Sequence, residues 1–265
     1  MVNPPAIAVL LLVNQPQRLR EAEALASRLA VPIVRTRDDS SAQLFLAVTE
    51  DHVELRDCSV RGAGVFVDFT RLDSRTISGR GSKNQPLIKA FGREVRTIVD
   101  ATAGLGQDAA LLACMGFRIT AVERSPEVFA LVEDGLRRAM DDDRLRNRLK
   151  DHLALIEGDA RDVLRGMNPP PDAVYIDPMF PPKRKKSALP SKAIRLIRAT
   201  VGDDEDAAAL LEVAKATATN RIVVKRPTHA PPLADAPTMS YTGKLVRYDV
   251  YLAAGRPVSM GHQSG

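Results

Sequence analysis

The hydrophobic and polar positions of this chain follow one pattern before residue 70 and another after residue 97. Residues 6–13 form an apolar run, and residues 16–30 place apolar side chains at helical spacing. Three short segments that alternate or run apolar between turn-prone residues follow, at 43–48, 52–56 and 64–69. These three segments predict a small antiparallel sheet, and the whole stretch predicts an N-terminal α+β subdomain over residues 1–70.

From residue 97 onward, apolar strands alternate with amphipathic helices. The predicted strands are 97–101, 117–123, 152–157, 172–177 and 220–226. The predicted helices cover about 107–115, 126–140, 160–166 and 204–218. This alternation predicts a parallel sheet with helices on both faces.

The last two strands differ from those before them. Residues 238–241 and 245–252 flank Thr242-Gly-Lys244, a sequence typical of a β-hairpin. A parallel sheet that ends in an antiparallel hairpin is the layout of Rossmann-like class I methyltransferases, whereas dinucleotide dehydrogenases do not need it. We therefore predict an α/β fold with such a methyltransferase domain over residues 97–256 and a flexible tail over 257–265.

The segment between the two patterns, residues 71–96, is basic. Its basic residues are Arg71, Arg75, Arg80, Lys83, Lys89, Arg93 and Arg96, against the acids Asp73 and Glu94. Gly79-Arg-Gly-Ser82 adds backbone freedom. We interpret this stretch as a basic connecting segment between the two domains.

A glycine-rich loop follows the first strand of the C-terminal domain. In Val99-Asp-Ala-Thr-Ala-Gly-Leu-Gly-Gln-Asp-Ala109, the strand runs into Gly104-x-Gly106 and then into a helix. Glycines there let the backbone turn sharply and approach a ligand closely. Glu123 ends the next strand, at the spacing expected of a carboxylate that binds a ribose diol. The loop and the acid together predict a site for a nucleoside-containing cofactor.

The loop also fits the fingerprint of NAD-binding proteins, because Ala109 and a later acid complete it. Two further acids favour S-adenosylmethionine. Asp100 can bind the methionine ammonium, whereas it would repel a pyrophosphate. Asp159 follows the third strand, where an acid can accept a hydrogen bond from the adenine amino group. The alternative interpretations are that Asp100 and Asp159 cap helices and that Glu123 is a solvated loop acid.

The fourth strand ends in Asp177-Pro-Met-Phe180. The Asp177 carboxylate and the Pro178 carbonyl can accept hydrogen bonds from an exocyclic amino group, and Phe180 can stack on the base. Such an amine is a poor nucleophile because its lone pair delocalises into the ring, so positioning should supply most of the acceleration. We predict these three as catalytic residues for methylation of guanine N2 or adenine N6. The alternative is a proline turn with Phe180 packed in the core.

Basic residues flank this catalytic strand. The predicted RNA contacts are Lys183, Arg184, Lys185, Lys186, Lys225 and Arg226. A run of charges is usually a solvated face, but this one adjoins the predicted base pocket, which favours contact with phosphates. A non-catalytic RNA-binding protein remains a second hypothesis from these residues.

Composition adds few constraints. The formal net charge of +5 mildly favours a polyanionic partner. Cys58 and Cys114 cannot build a disulfide framework or a zinc cluster, and the histidines lack metal-ligand spacing, so no metal is expected. The apolar run 6–13 is too short to span a bilayer and lacks the positive flank of a signal peptide. We expect a cytoplasmic protein with no membrane partner.

Several segments closely resemble the ribosomal RNA small subunit methyltransferase J family. They are Gly64-Val-Phe-Val-Asp-Phe69, Val99-Asp-Ala-Thr-Ala-Gly-Leu-Gly106, Asp177-Pro-Met-Phe-Pro181, Val223-Val-Lys-Arg-Pro227 and Ala230-Pro-Pro-Leu233. The similarity spans about residues 43–253 and is weaker in the first forty residues. It implies methylation of guanine N2 by S-adenosylmethionine at guanosine 1516 of 16S ribosomal RNA, so the implied partner is that RNA or the small ribosomal subunit.

The resemblance also implies a set of cofactor contacts. They fall on Gln107, Asp108, Glu123, Arg124, Asp159, Ala160 and Asp177. Gln107 departs from the family pattern, in which a basic residue is common, and Asp159-Ala160 replaces a pair of small hydroxyl residues. The second departure suggests that Asp159 binds adenine more directly in this chain.

Overall fold

The computed structural model describes residues 6–58, 64–73, 75, 85–178 and 206–254. Its strands are β1 (Ile7–Leu11), β2 (Ile33–Val34), β3 (Leu44–Val48), β4 (Val53–Asp57), β5 (Thr97–Asp100), β6 (Arg118–Glu123), β7 (Leu153–Glu157), β8 (Ala173–Ile176), β9 (Arg221–Pro227), β10 (Met239–Thr242) and β11 (Val246–Leu252). Its helices are α1 (Pro16–Leu29), α2 (Pro86–Phe91), α3 (Gln107–Cys114), α4 (Pro126–Ala139), α5 (Asp143–Leu149), α6 (Ala160–Gly166) and α7 (Ala207–Thr217). Within these ranges, no helix is both long and apolar enough to cross a bilayer.

The four N-terminal strands form one mixed sheet in the order β2-β1-β3-β4. β3 and β4 are antiparallel, as expected, but β1 is parallel to both β2 and β3. The parallel arrangement follows from α1, which lies between β1 and β2 in the chain and allows the strand direction to repeat. The predicted antiparallel pairing is therefore confirmed for β3 and β4, and the parallel pairing of β1 with β2 and β3 was not part of that prediction.

The predicted strand 64–69 does not form. Val65 makes a single bridge to Leu55, and residues Phe69–Arg71 then form a turn of 3-10 helix. The apolar side chains of Val67 and Phe69 are buried against α4 and the glycine loop instead of extending the sheet. The alternating apolar residues of this segment therefore belong to a connection between the two sheets, and their side chains pack into the core without forming a strand.

The seven C-terminal strands have the order β10-β11-β9-β8-β5-β6-β7. β9, β8, β5, β6 and β7 run parallel, and β11 and β10 add an antiparallel hairpin at one edge. The predicted parallel sheet and its C-terminal hairpin are confirmed. The central strands β5 and β8 are almost wholly buried, as expected when helices cover both faces of a parallel sheet.

Two short helices were not expected from the sequence. α2 lies inside the basic segment, where Pro86 occupies the first turn and Leu87, Ala90 and Phe91 are buried. α5 begins after Asp142, whose carboxylate accepts hydrogen bonds from the backbone N–H groups of Arg144 and Leu145. Both helices bury only one narrow apolar face, which explains why the periodicity is weak.

Candidate functional site

A cavity of about 410 Å³ opens at the carboxyl ends of β5, β6, β7 and β8. Neighbouring parallel strands end at one edge of the sheet, so residues that are distant in sequence meet there. The predicted cofactor and catalytic residues that line it are Asp100, Gly104, Gln107, Asp108, Glu123, Arg124, Asp159, Ala160, Asp177 and Pro178. Lys225 lines the cavity as well. The fold thus brings most of the predicted residues to one place.

The loop between β5 and α3 turns at two glycines. Gly104 has φ 52° and Gly106 has φ 70°, a region that other residues rarely adopt. Gly104 lines the cavity, whereas Gly106 is buried beneath it, and a Cβ at Gly106 would lie 3.2 Å from Cγ1 of Val132. The two glycines therefore differ in purpose: Gly104 exposes backbone to a ligand, and Gly106 fits the loop against α4.

Glu123 fixes the shape of this loop. One carboxylate oxygen accepts a hydrogen bond from the backbone N–H of Gly104 at 2.8 Å, and the other accepts one from Ser125 at 2.8 Å. Burial raises the pKa of Glu123 to about 6, although both backbone hydrogen bonds oppose that rise. Each carboxylate oxygen can accept a second hydrogen bond, so Glu123 can still bind ribose hydroxyls.

Asp100 is the most deeply buried acid of the cavity, with 1% of its surface exposed. Its Oδ1 accepts a hydrogen bond from the backbone N–H of Thr102 at 3.2 Å. Burial is the main cause that raises the pKa of Asp100 to about 8, and the carboxylates of Asp108 and Asp177 raise it further. A cation in the cavity would stabilise the ionised form of Asp100.

Asp159 caps α6. Its Oδ1 accepts hydrogen bonds from the backbone N–H of Arg161 at 2.8 Å and from the Arg161 Nε at 3.0 Å. These side-chain hydrogen bonds with Arg161 are the main cause that lowers the pKa of Asp159 to about 2. The cap anticipated as an alternative is therefore present, and it leaves the half-exposed carboxylate on the cavity wall.

The remaining implied cofactor contacts lie around the rim. Gln107 is the exposed first residue of α3, and Ala160 is the buried first residue of α6. Arg124 is exposed and donates a hydrogen bond to Asp206 at 3.3 Å. Asp206 also pairs with Arg161 at 3.3 Å, so ion pairs connect the end of β6, the start of α6 and the start of α7.

Of the three predicted catalytic residues, the structure describes Asp177 and Pro178. The backbone N–H of Asp177 donates to Oγ1 of Thr102 at 2.6 Å, which ties the end of β8 to the loop after β5. Pro178 is buried and lines the cavity. Phe180 lies outside the described residues, so its predicted stacking role stays a prediction.

The predicted RNA contacts divide into two groups. Lys183, Arg184, Lys185 and Lys186 lie outside the described residues, and their role stays a prediction. Lys225 lies between the carboxylates of Asp108 and Asp177 instead of on an open surface. Arg226 is 5% exposed, and its guanidinium donates to the carbonyl oxygen of Pro231 at 2.9 Å. This placement of Arg226 favours a structural role in the following loop over the predicted phosphate contact.

Three cavity residues did not emerge from the sequence. Tyr175 is buried in β8, and its hydroxyl donates to Asp108 at 2.7 Å. The hydroxyl of Thr102 accepts a hydrogen bond from the backbone N–H of Asp177, and Asp206 forms ion pairs with Arg124 and Arg161 at the rim. Tyr175 carried a usable signal, because a buried tyrosine needs a partner for its hydroxyl and it shares a strand face with Asp177.

The acidic residues that line the cavity fit S-adenosylmethionine. The carboxyl groups of Asp100 and Asp177 line the cavity, and a ligand that carries a sulfonium and an ammonium would stabilise their ionised forms. Glu123 offers hydrogen-bond acceptors to a ribose, whereas a dinucleotide pyrophosphate would meet the acid Asp100. Within the described ranges, no group of histidine, cysteine and acidic side chains is arranged to hold a metal ion.

Known proteins resemble this chain over most of its length. A family model described as "Putative SAM-dependent methyltransferase" matches residues 25–253. A ribosomal RNA small subunit methyltransferase J from Pectobacterium atrosepticum is 43% identical over 221 residues, which cover 81% of this chain and 88% of that protein. The protein of the same name from Pseudomonas savastanoi pv. phaseolicola is 42% identical over 255 residues, or 92% of each chain.

The solved structures extend the likeness to the fold. A crystal structure of a SAM-dependent methyltransferase from Neisseria gonorrhoeae has a TM-score of 0.74 and 30% identity. The match covers 96% of this chain and 100% of that one. The predicted fold class, a Rossmann-like class I methyltransferase sheet with an antiparallel hairpin and an additional N-terminal α+β part, is therefore confirmed.

Proposed function

The chain belongs to the ribosomal RNA small subunit methyltransferase J family of SAM-dependent methyltransferases, and we propose that it methylates the N2 amine of guanosine 1516 in 16S ribosomal RNA. Its cofactor is S-adenosylmethionine. The relatives named above are small-subunit RNA methyltransferases, which supports the same RNA as the substrate of this chain. Such a substrate places the reaction in the cytoplasm.

One observation carries the choice of an amine as the methyl acceptor. Asp177 and Pro178 directly follow the strand β8 and line the same cavity as the predicted cofactor residues Asp100 and Glu123. An acceptor pair at that position can bind both hydrogens of an exocyclic NH2 group and turn its lone pair toward the cofactor. The site is therefore arranged for an sp² amine that must be oriented before it can react.

When bound, S-adenosylmethionine supplies an electrophilic methyl group on its sulfonium sulfur. Asp177 and the Pro178 carbonyl hold the guanine amine in line with that group, and Thr102 holds the Asp177 backbone. The amine must also lose a proton at or after transfer, and Asp177 is placed to accept it.

Deletion and complementation in cells test this proposal. In small-subunit RNA from cells that lack the protein, nucleoside mass spectrometry should find one N2-methylguanosine missing, and the wild-type gene should restore it. Asp177→Asn should fail to restore it because the amide loses both the negative charge and one acceptor. Asp162→Asn is the matched control, since Asp162 is an exposed acid on α6 that pairs with Arg165. Unchanged N2-methylguanosine in the deletion strain, or loss of N6-methyladenosine instead, would contradict the proposal.

A further inference from the structure

Lys225 lies between two carboxylates of the methyl-transfer site. Its Nζ is 2.8 Å from Oδ2 of Asp108 and 2.9 Å from Oδ2 of Asp177. Asp108 is itself held by the hydroxyl of Tyr175, which donates to the same oxygen at 2.7 Å. The four side chains come from α3, β8, the end of β8 and β9, so they form one network across three neighbouring elements.

We propose that Lys225 is a positioning residue for methyl transfer: its ammonium keeps the Asp177 carboxylate ionised and aimed at the acceptor amine, and Asp108 with Tyr175 holds the ammonium in place. This inference rests on the proposed function, because it assigns Lys225 a part in the same reaction. It replaces the phosphate contact that the sequence predicted for Lys225.

Strand pairing explains why Lys225 reaches Asp177. β8 and β9 are parallel, with Ile176 beside Val224, so the next pair along the two strands is Asp177 and Lys225. On the other side of β9, Lys225 pairs with Tyr248 of β11. The lysine is therefore fixed by two strands, and its position does not depend on a flexible loop.

The surrounding charges require a cation at this point. Three acids meet at this end of the cavity, namely Asp100 of β5, Asp108 of α3 and Asp177. Two tyrosines also face them, Tyr175 and Tyr248. Like charges make neighbouring carboxyl groups harder to ionise in a partly buried site, and a cation between them opposes that effect. Without Lys225, the carboxyl groups of Asp108 and Asp177 would therefore be harder to ionise.

The pKa values of Lys225 and of the two tyrosines are shifted in the directions that this arrangement predicts. Burial by itself lowers the pKa of Lys225, but the carboxylates of Asp177 and Asp108 outweigh burial and raise it above the ordinary value. Burial, followed by the charge of Asp108, raises the pKa of Tyr248 to about 12. Lys225 is therefore a cation at physiological pH, and both tyrosines stay neutral.

A lysine that binds phosphate should have most of its N–H donors available for the phosphate, and Lys225 does not. Its side chain is 23% exposed, and two of its three N–H donors have carboxylate partners. Lys215 on α7 provides a matched control, since its side chain is 25% exposed and pairs with Glu212 at 2.8 Å. Lys215 does not line the cavity.

The first test compares Lys225→Met, Lys225→Arg and Lys215→Met in a methyl-transfer assay at saturating RNA and cofactor. For Lys225→Met we expect kcat at pH 7 to fall about 100-fold, with the acid limb of the pH profile moved to higher pH, because Asp177 becomes harder to ionise. Lys225→Arg should recover part of kcat, and Lys215→Met should match the wild type. The KM for RNA should change less than about threefold, because phosphate contacts are not involved.

Two results would overturn the proposal. One is an unchanged kcat in Lys225→Met with a raised KM for RNA and a weaker salt dependence of binding, as expected of a phosphate contact. The other is an unchanged pH profile with a lower melting temperature, as expected of a merely structural lysine. If Lys225→Met does not fold, Lys225→Gln gives the same comparison with a polar side chain of similar reach.

A second measurement is independent of methyl transfer. Carbon-13 NMR of the aspartate carboxyl groups, assigned with Asp177→Asn, should show the titration midpoint of Asp177 at higher pH in Lys225→Met than in the wild type. An unchanged midpoint would overturn the inference even if the enzyme methylates 16S ribosomal RNA. A shifted midpoint in a protein that leaves this RNA unmethylated would support the inference while contradicting the proposed function.

Discussion

Burial shifts two cofactor-site carboxylates in the same direction. It is the largest cause that raises the pKa of Asp100 to about 8 and that of Glu123 to about 6. At pH 7 the cofactor-free protein therefore holds Asp100 mainly as a neutral acid and Glu123 mainly as a carboxylate. When a cationic ligand binds at pH 7, Asp100 should therefore lose a proton, whereas Glu123 is already mainly ionised.

Binding of S-adenosylmethionine should release a proton from Asp100. The positive charges of the ligand favour the ionised form and lower the pKa, so a group that is mainly protonated at pH 7 gives up as much as about one proton. Calorimetry at pH 7 in two buffers with different ionisation enthalpies measures this release as a difference in observed heat. Asp100→Asn should abolish the difference, and equal heats for the wild-type protein in both buffers would contradict the assignment.

Like the release of a proton from Asp100, the ionisation of Glu123 should make cofactor affinity rise with pH, but over a lower pH range. Its carboxylate accepts hydrogen bonds above about pH 6, so the affinity for S-adenosylmethionine should fall as the pH drops below that value. Glu123→Gln should weaken binding at pH 7.5 by about 1.5–3 kcal/mol, the range for hydrogen bonds to charged groups. Titrations between pH 5.5 and 8 test both points.

The control for Glu123→Gln is Glu127→Gln. Glu127 lies in the first turn of α4 and accepts a hydrogen bond from Oγ of Ser125, but it does not line the cavity. The Glu127→Gln variant should bind the cofactor with the same affinity as the wild-type protein at every pH. A similar loss of affinity in both variants would show that the local fold, and not the ribose contact, had changed.

At the scale of elements, the sequence predicts strands and long helices well and packing segments poorly. The central strands follow their apolar runs to within one or two residues at each end. The prediction of a strand over residues 64–69 was wrong, because apolar alternation is found in any half-buried extended segment, whether or not it pairs in a sheet. Val67 and Phe69 pack against α4 and the glycine loop instead, and the sequence does not reveal these contacts. α5 was missed because Leu145 and Leu149 are its only buried residues.

The loop before α3 depends on a glycine at position 106. Gly106→Ala should lower the free energy of unfolding by about 1–3 kcal/mol, because alanine is strained at φ 70° and its Cβ meets Val132 at 3.2 Å. Gly166→Ala at the end of α6 is the control, since a Cβ there meets nothing within 4 Å. Urea unfolding measures both, and equal effects would mean that close packing does not explain Gly106.

At the scale of the whole molecule, the two sheets share one hydrophobic core. A single cluster of buried side chains extends from Val9 and Leu46 in the N-terminal sheet to Ile98 and Val223 in the C-terminal sheet. α4 joins them directly, because the buried carboxylate of Asp134 accepts a hydrogen bond from the backbone N–H of β4 at 3.1 Å. The chain should therefore unfold as one cooperative unit.

Removing the Asp134 carboxylate should weaken this connection. Asp134→Ala removes the hydrogen-bond acceptor of the Val53 backbone N–H and one of the partners of both Arg137 and Arg138, which should cost about 1–3 kcal/mol. Hydrogen exchange should show that β4 loses protection first. Glu133→Gln removes only an exposed ion pair with Arg28 and should change stability by less than about 0.5 kcal/mol. Equal costs for the two variants would contradict a special role of Asp134.

Site residues that directly follow a strand could be predicted from the sequence. A residue whose neighbours depend on how two strands pair could not. Asp100, Glu123, Asp159 and Asp177 follow strands whose ends meet, so their convergence could be predicted from the alternation of elements. The place of Lys225 required the pairing of β8 with β9, which no sequence spacing reveals. Lys225 and Arg226 end a strand at the same edge of the sheet as the basic run, which suggested RNA, whereas the strand register places Lys225 beside Asp108 and Asp177.

The most direct measurement is methyl transfer in a purified system. The protein is incubated with labelled S-adenosylmethionine and small-subunit RNA from cells that lack it, and the RNA is then digested and its nucleosides identified. We predict that the label appears in N2-methylguanosine at one position, guanosine 1516, and that Asp177→Asn abolishes it. Label in N6-methyladenosine, or no transfer by a protein that binds the cofactor, would contradict the account.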